Sequence, residues 1–144
     1  MKEKNIDPCC NIDCVGGYLR KEIVKILFPG MSTLYINTSD IGPRLYIQHG
    51  FSTIISAKKI GSNCWINQQV TIGYSFAPES PTIGNGVRIS AGAKVLGQIT
   101  IDDNLIVTAN AAVVKNIEKN QIVGGVPAKI IGYNDDHRLY NCEK

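Results

Sequence analysis

Through the middle of the chain an Ile or Val returns at a six-residue step: Ile41, Ile47, Ile54, Ile60, Ile66, Ile72, Ile83, Ile89, Val95, Ile101, Val107 and Val113. The step slips twice, by one residue before Ile54 and by five between Ile72 and Ile83. An amphipathic helix spaces its apolar residues about 3.6 apart, and a half-buried strand spaces them two apart. Six fits neither. It is the period of a parallel β-helix, in which each hexapeptide supplies a short strand and a corner. Three hexapeptides complete one coil, so the series predicts three stacked columns: Ile41/Ile60/Ile83/Ile101, Ile47/Ile66/Ile89/Val107 and Ile54/Ile72/Val95/Val113. Burying each of these side chains is worth roughly 1.5–3 kcal/mol before entropy, which makes the columns the predicted core.

The polar positions fit the same scheme. Three residues after each inward aliphatic the chain offers Gly50, Asn63, Gly86, Gly92, Asn104, Asn110 and Asn116. Gly, and less readily Asn, enters the left-handed region that a sharp corner needs. The next position carries a second inward group: Leu45, Cys64, Val70, Val87, Ala93, Ile99, Leu105, Ala111 and Ile117.

The repeat divides the chain into residues 1–33, 34–132 and 133–144. In the first part Leu19, Ile23, Ile26 and Leu27 predict a short amphipathic helix, stopped by Pro29-Gly30, that caps the open end of the β-helix. In the second, four coils run from Ile41 to Glu118, and a last partial turn holds Gly124-Gly125-Val126-Pro127-Ala128-Lys129. The third part is a polar tail. The five extra residues predict a loop over 74–82, carrying Tyr74 and Phe76, as a substrate-shaping element.

At 144 residues the chain suits one domain, and 44% apolar with 19% charged residues excludes a disordered polymer. A net charge of +3 is too mild for nucleic acid and suits a small anionic ligand. No apolar run approaches the ~20 residues of a membrane span, and no secretory signal is visible in residues 1–10, which predicts a cytoplasmic protein. The five cysteines lack zinc-ligand spacing and read as reduced thiols.

Candidate chemistry centres on His49, two residues after Ile47. Counting by coils sets Gln68, Ala91 and Ala109 beneath it on one ridge, ~4.8 Å per step. Small side chains there leave a shallow furrow leading to the imidazole. A furrow becomes a cleft only when a second protomer walls it, which predicts sites between the subunits of a cyclic oligomer. Imidazole titrates near neutrality and can take a proton from an attacking hydroxyl; the competing reading is a solvated surface histidine. His137, in the tail, carries no assigned role. Two histidines exclude a three-His zinc site within one chain, and no metal is predicted.

Five segments carry a family resemblance: Tyr46-Ile-Gln-His-Gly50, Ile60-Gly-Ser-Asn-Cys-Trp-Ile66, Gln69-Val-Thr-Ile-Gly73, Ile89-Ser-Ala-Gly-Ala-Lys-Val-Leu-Gly97 and Gly125-Val-Pro-Ala-Lys129. On these, residues 41–132 resemble the hexapeptide acyltransferases, most closely the serine acetyltransferase branch. The resemblance implies a mainly β, single-domain left-handed parallel β-helix, a homotrimer with sites between subunits, acetyl-CoA as co-substrate and His49 as general base. It further implies that Ala91, Gly92 and Ala109 line the path of the CoA arm, with Pro127 and Lys129 at its nucleotide end. Backbone N–H groups near Gly73 or the loop would hold the oxyanion. Lys115, Lys119 and Lys129 are candidates to attract phosphates.

Departures from that branch bear on the acceptor. Gln48 stands where its members place Asp before the histidine, Leu34 falls where they place an upstream acid, and Ser80 replaces a second histidine. Their large N-terminal helical domain has no counterpart in this sequence. These differences shift the expected acceptor from free serine to a hydroxyl of a sugar or polysaccharide precursor, with Gln48, Gln68, Tyr74 and Glu79 as substrate-binding candidates. Asp40, Glu79 and a main-chain carbonyl are the candidates to orient His49. Serine O-acetylation and a non-catalytic binding scaffold are the competing functions. Trp65 is expected to face outward, packed at a subunit interface, and Asn63 and Asn67 to be corner formers.

Overall fold

The computed structural model describes residues 33–75 and 79–134. In chain order its strands are β1 (Leu34–Ile36), β2 (Tyr46–Ile47), β3 (Thr53–Ile55), β4 (Lys59–Ile60), β5 (Trp65–Ile66), β6 (Thr71–Gly73), β7 (Thr82–Ile83), β8 (Arg88–Ile89), β9 (Lys94–Leu96), β10 (Thr100–Ile101), β11 (Ile106–Val107), β12 (Ala112–Val113), β13 (Gln121–Gly124) and β14 (Lys129–Tyr133). They stack into three faces. The first holds β1, β3, β6, β9 and β12; the second β4, β7 and β10; the third β2, β5, β8, β11, β13 and β14. Every pairing is parallel except β13 with β14. The chain is a mainly β parallel β-helix, and among the described residues no helix is long and apolar enough to cross a membrane.

The columns form as the six-residue step predicts. Ile60 pairs with Ile83 and Ile83 with Ile101; Ile66 pairs with Ile89 and Ile89 with Val107. Each of these side chains is buried, as are Cys64, Val70, Val87, Ala93, Leu105 and Ala111 of the second inward set. Ile41, Ile47, Leu45 and Ile117 are half-buried against them.

The third column needs one correction. Ile55, not Ile54, pairs with Ile72 and is fully buried, whereas Ile54 is 45% exposed. Successive strand residues point to opposite faces, so a one-residue slip exchanges inside for outside. Ile55 follows Ile47 by eight positions and precedes Ile60 by five, so the corner before β3 holds two residues more than its counterparts.

Corners also depart from residue preference. Asn63, Asn104, Asn110, Gly50, Gly86 and Gly92 adopt positive φ as expected, but Asn116 does not. Arg44, Ser52, Gln69 and Asn120 do so without having been expected. For a non-glycine residue that conformation costs roughly 1–2 kcal/mol, which the locked register of the columns imposes.

The lower end is not a fading partial turn. β14 runs back antiparallel on β13, and the predicted tail contributes its first residues to the fold. Tyr133 ends β14. Asn134 is buried, donating from Nδ2 to the Asn104 carbonyl at 3.1 Å and from its N–H to the Asn120 carbonyl at 2.8 Å. The predicted N-terminal helix and residues 135–144 lie outside the described residues.

Candidate functional site

The edge between the third and first faces carries the candidate residues. On its third-face side, N–H groups of Gln48 and Asn67 donate to the carbonyls of Ile66 and Ile89 at 2.8 and 3.0 Å. On its first-face side, Gln69, Gly92 and Asn110 donate to the carbonyls of Phe51, Gln68 and Ala91 at 2.8, 3.0 and 2.9 Å. Phe51 therefore sits above Gln68, Ala91 and Ala109, in the place the sequence assigned to His49. His49 and Gly50 are the two inserted residues, lifted off the ridge. The Phe51 N–H donates back to the His49 carbonyl, closing a tight turn. Within four residues, His49, Gly50 and Ser52 take φ values of +65°, +44° and +48°. Such clustering of sparsely populated backbone is common at functional sites. His49 is exposed at the tip.

Its neighbours come from three adjacent strands. The Gln48 Nε2 lies 3.5 Å from the His49 Nε2. The Gln48 Oε1 accepts from the Trp65 Nε1–H at 3.2 Å, and that donor also reaches Asn67 Oδ1 at 2.7 Å. The indole packs edge-on against Tyr46, with ring centroids 4.5 Å apart, and the Arg88 guanidinium lies 5.1 Å from its centroid. Asn67 is thus a hydrogen-bond acceptor rather than a corner former. Asp40, one of the three candidates to orient His49, lies 3.8 Å from Lys59 Nζ.

Below the turn the edge carries the residues of the predicted furrow. Gln68 is half-buried, and its Oε1 is buried without a hydrogen-bond partner. Ala91 and Gly92 are half-buried and Ala109 is exposed. A side chain at Gly92 would collide with Asn110 Oδ1. The furrow ends at the β13–β14 turn, which hydrogen bonds fasten to β12: Ala112 N–H to Gly125 O at 3.0 Å and Ala128 N–H to Ala112 O at 2.8 Å. Pro127, after a cis peptide bond, and Lys129 are exposed there.

Other candidates lie elsewhere. Gly73 closes β6 and is buried, and with Tyr74 and Glu79 it occupies the next corner, beyond the first face from His49. Within one chain they do not join the His49 edge. Lys119 lines a shallow depression of about 390 Å³ beside Asp102 and Asp103, away from the furrow. Lys115 follows β12 on the far corner. Trp65 and Phe51 are the residues sequence reasoning undervalued. The signal for Trp65 was its place one residue before Ile66, directly beneath Tyr46.

No protein-family model matches the chain. The serine acetyltransferase of Staphylococcus xylosus is 40% identical over 111 residues, 69% of this chain and 51% of that protein. Soybean serine acetyltransferase, solved complexed with serine, superposes with a TM-score of 0.65 at 27% identity, covering 78% of this chain and 46% of that one. Serine acetyltransferase from Brucella abortus strain S19, solved in complex with coenzyme A, superposes with a TM-score of 0.59 at 35% identity, covering 65% and 39%. The chain spans about half the length of the curated relatives it matches.

Proposed function

We propose, for a chain that belongs to the hexapeptide-repeat acyltransferases and to their serine acetyltransferase-like branch, the transfer of an acetyl group from acetyl-CoA to an acceptor hydroxyl. His49 is the general base. Its ring takes the proton of the hydroxyl as the oxygen attacks the thioester carbonyl, and backbone N–H groups stabilise the oxyanion that forms. Collapse of that intermediate expels the thiolate of CoA, which leaves as the thiol. Such a base supplies typically 10²–10⁴-fold of the rate.

The carrier would lie along the furrow of Ala91, Gly92 and Ala109 with its nucleotide end towards Pro127 and Lys129. The coil is left-handed in this reading, and the working unit is a cytoplasmic homotrimer. A neighbouring protomer walls the furrow and brings its own Gly73, Tyr74 and Glu79 to the acceptor. The exposure of His49 and Ala109 in the single chain supports this, since neither is enclosed by its own coils.

Serine is the acceptor this reading favours. The relatives named above are serine acetyltransferases, and the saccharide expected from the sequence finds no support among them. The observation that carries the proposal is His49 raised on a two-residue insertion at the head of the small-residue furrow. The test is thiol release from acetyl-CoA with serine and with sugar acceptors, for wild type and His49→Ala. Turnover with serine that falls about 10²–10⁴-fold in the variant is expected. Equal turnover by a folded His49→Ala protein refutes the role of the imidazole.

A further inference from the structure

The side chain beside His49 can be oriented by its partners alone. An indole N–H donates and never accepts. The end of the Gln48 amide that receives the Trp65 N–H at 3.2 Å must therefore be its oxygen. Trp65 cannot turn away easily, because Asn67 Oδ1 holds the same N–H at 2.7 Å while Tyr46 and Arg88 pack on the ring. The amide's NH₂ end is left facing His49 Nε2 at 3.5 Å. That end has only hydrogens to offer. A proton on Nε2 would set two donors against each other, whereas a lone pair there accepts.

We infer that Gln48, its amide set by Trp65 and Asn67, is a positioning residue that holds the neutral His49 ring with its proton on Nδ1 and its lone pair on Nε2. At 3.5 Å the contact is long for a hydrogen bond, so it biases the tautomer without tying up the lone pair. An acceptor hydroxyl can displace the NH₂ group and donate to the same nitrogen. The catalytic consequence rests on His49 being the base; the tautomer does not.

Two-bond ¹H–¹⁵N correlation spectra of the uniformly labelled full chain read the tautomer directly. The sequence has two histidines, and His137→Gln assigns the signals. Wild type should carry the His49 proton on Nδ1. Gln48→Glu keeps the Trp65 contact but turns an acceptor oxygen toward Nε2, so the proton should move to Nε2 and turnover should fall about 10²–10⁴-fold. Gln48→Met should leave a mixture of tautomers. A wild-type proton on Nε2, or a Gln48→Glu ring unchanged from wild type, overturns the inference. Because the spectra need no turnover, an inactive wild type would refute the acetyl-transfer reading by itself.

Discussion

Gly61→Ala probes how tightly the coils are stacked. A Cβ on Gly61 would lie 2.5 Å from the Gly84 carbonyl oxygen, 2.6 Å from its carbon and 2.7 Å from Asn85 Oδ1. Favourable heavy-atom contact begins at about 3.5 Å, so the methyl is roughly 1 Å too close to backbone on the next coil. Neither coil can retreat freely. Gly61 N–H is bonded to Ile83 O at 2.9 Å, and Gly84 N–H to Ile101 O at 2.8 Å. Overpacking of this kind costs about 1–3 kcal/mol, and each strained ladder hydrogen bond adds roughly 0.5–1.5 kcal/mol. The lower entropy of the unfolded alanine chain offsets about 0.4–1 kcal/mol. A net loss of about 2–3 kcal/mol is expected. Gly73→Ala is the control, since its Cβ would meet nothing nearer than Ser56 Cβ at 4.0 Å. Urea unfolding followed by circular dichroism, at one protein concentration, measures both. If Gly61→Ala proves as stable as Gly73→Ala, the close approach between coils is wrong.

Three further outcomes are expected. Ala109→Trp fills the exposed furrow without touching the core, so the KM for acetyl-CoA should rise about tenfold or more while the unfolding midpoint stays put; unchanged kinetics would remove the carrier from this edge. Burial pushes the Cys64 thiol from 9.0 up to about 11. Between those values the unfolded chain releases the proton before the folded one, so stability falls as pH rises from 9 to 11, by up to about 2–3 kcal/mol. Cys64→Ala, compared by urea unfolding at both pH values, should lose less over that interval than wild type. Asn134→Ala removes the donor that ties the hairpin end to the Asn104 carbonyl, a loss of about 1–3 kcal/mol. Hydrogen exchange of the β14 amides should quicken while exchange at Ile66 and Ile89 does not.

The columns were legible because a period of six repeated over many coils leaves little freedom in register. Ile54 and Ile55 were not separable by counting, since adjacent isoleucines satisfy either face and the choice rests on how many residues the preceding corner absorbs. That same corner misplaced His49, whose protrusion depends on Phe51, rather than the histidine, taking up the hydrogen bond from Gln69. The Trp65 network was hidden for a different reason. Gln48, Trp65 and Asn67 are outward polar or aromatic positions with no period of their own, and they meet only once β2 is laid directly on β5. The closing hairpin was read as a partial coil because Ile122-Val123 and Ile130-Ile131 fit an inward column as well as they fit a returning strand.

A stacked coil is also a ruler. From Phe51 through Gln68 and Ala91 to Ala109 the edge descends three steps, ~14 Å in total, and the returning strand then stops the stack. The span between the raised imidazole and Pro127 can therefore change only by whole increments of one coil. Deleting residues 90–107, or duplicating them, would keep every aliphatic in register yet shorten or lengthen that span by ~4.8 Å. A thioester carrier of fixed reach would then fall short of the histidine or overshoot it, so the number of coils is as much a part of the catalytic specification as any side chain.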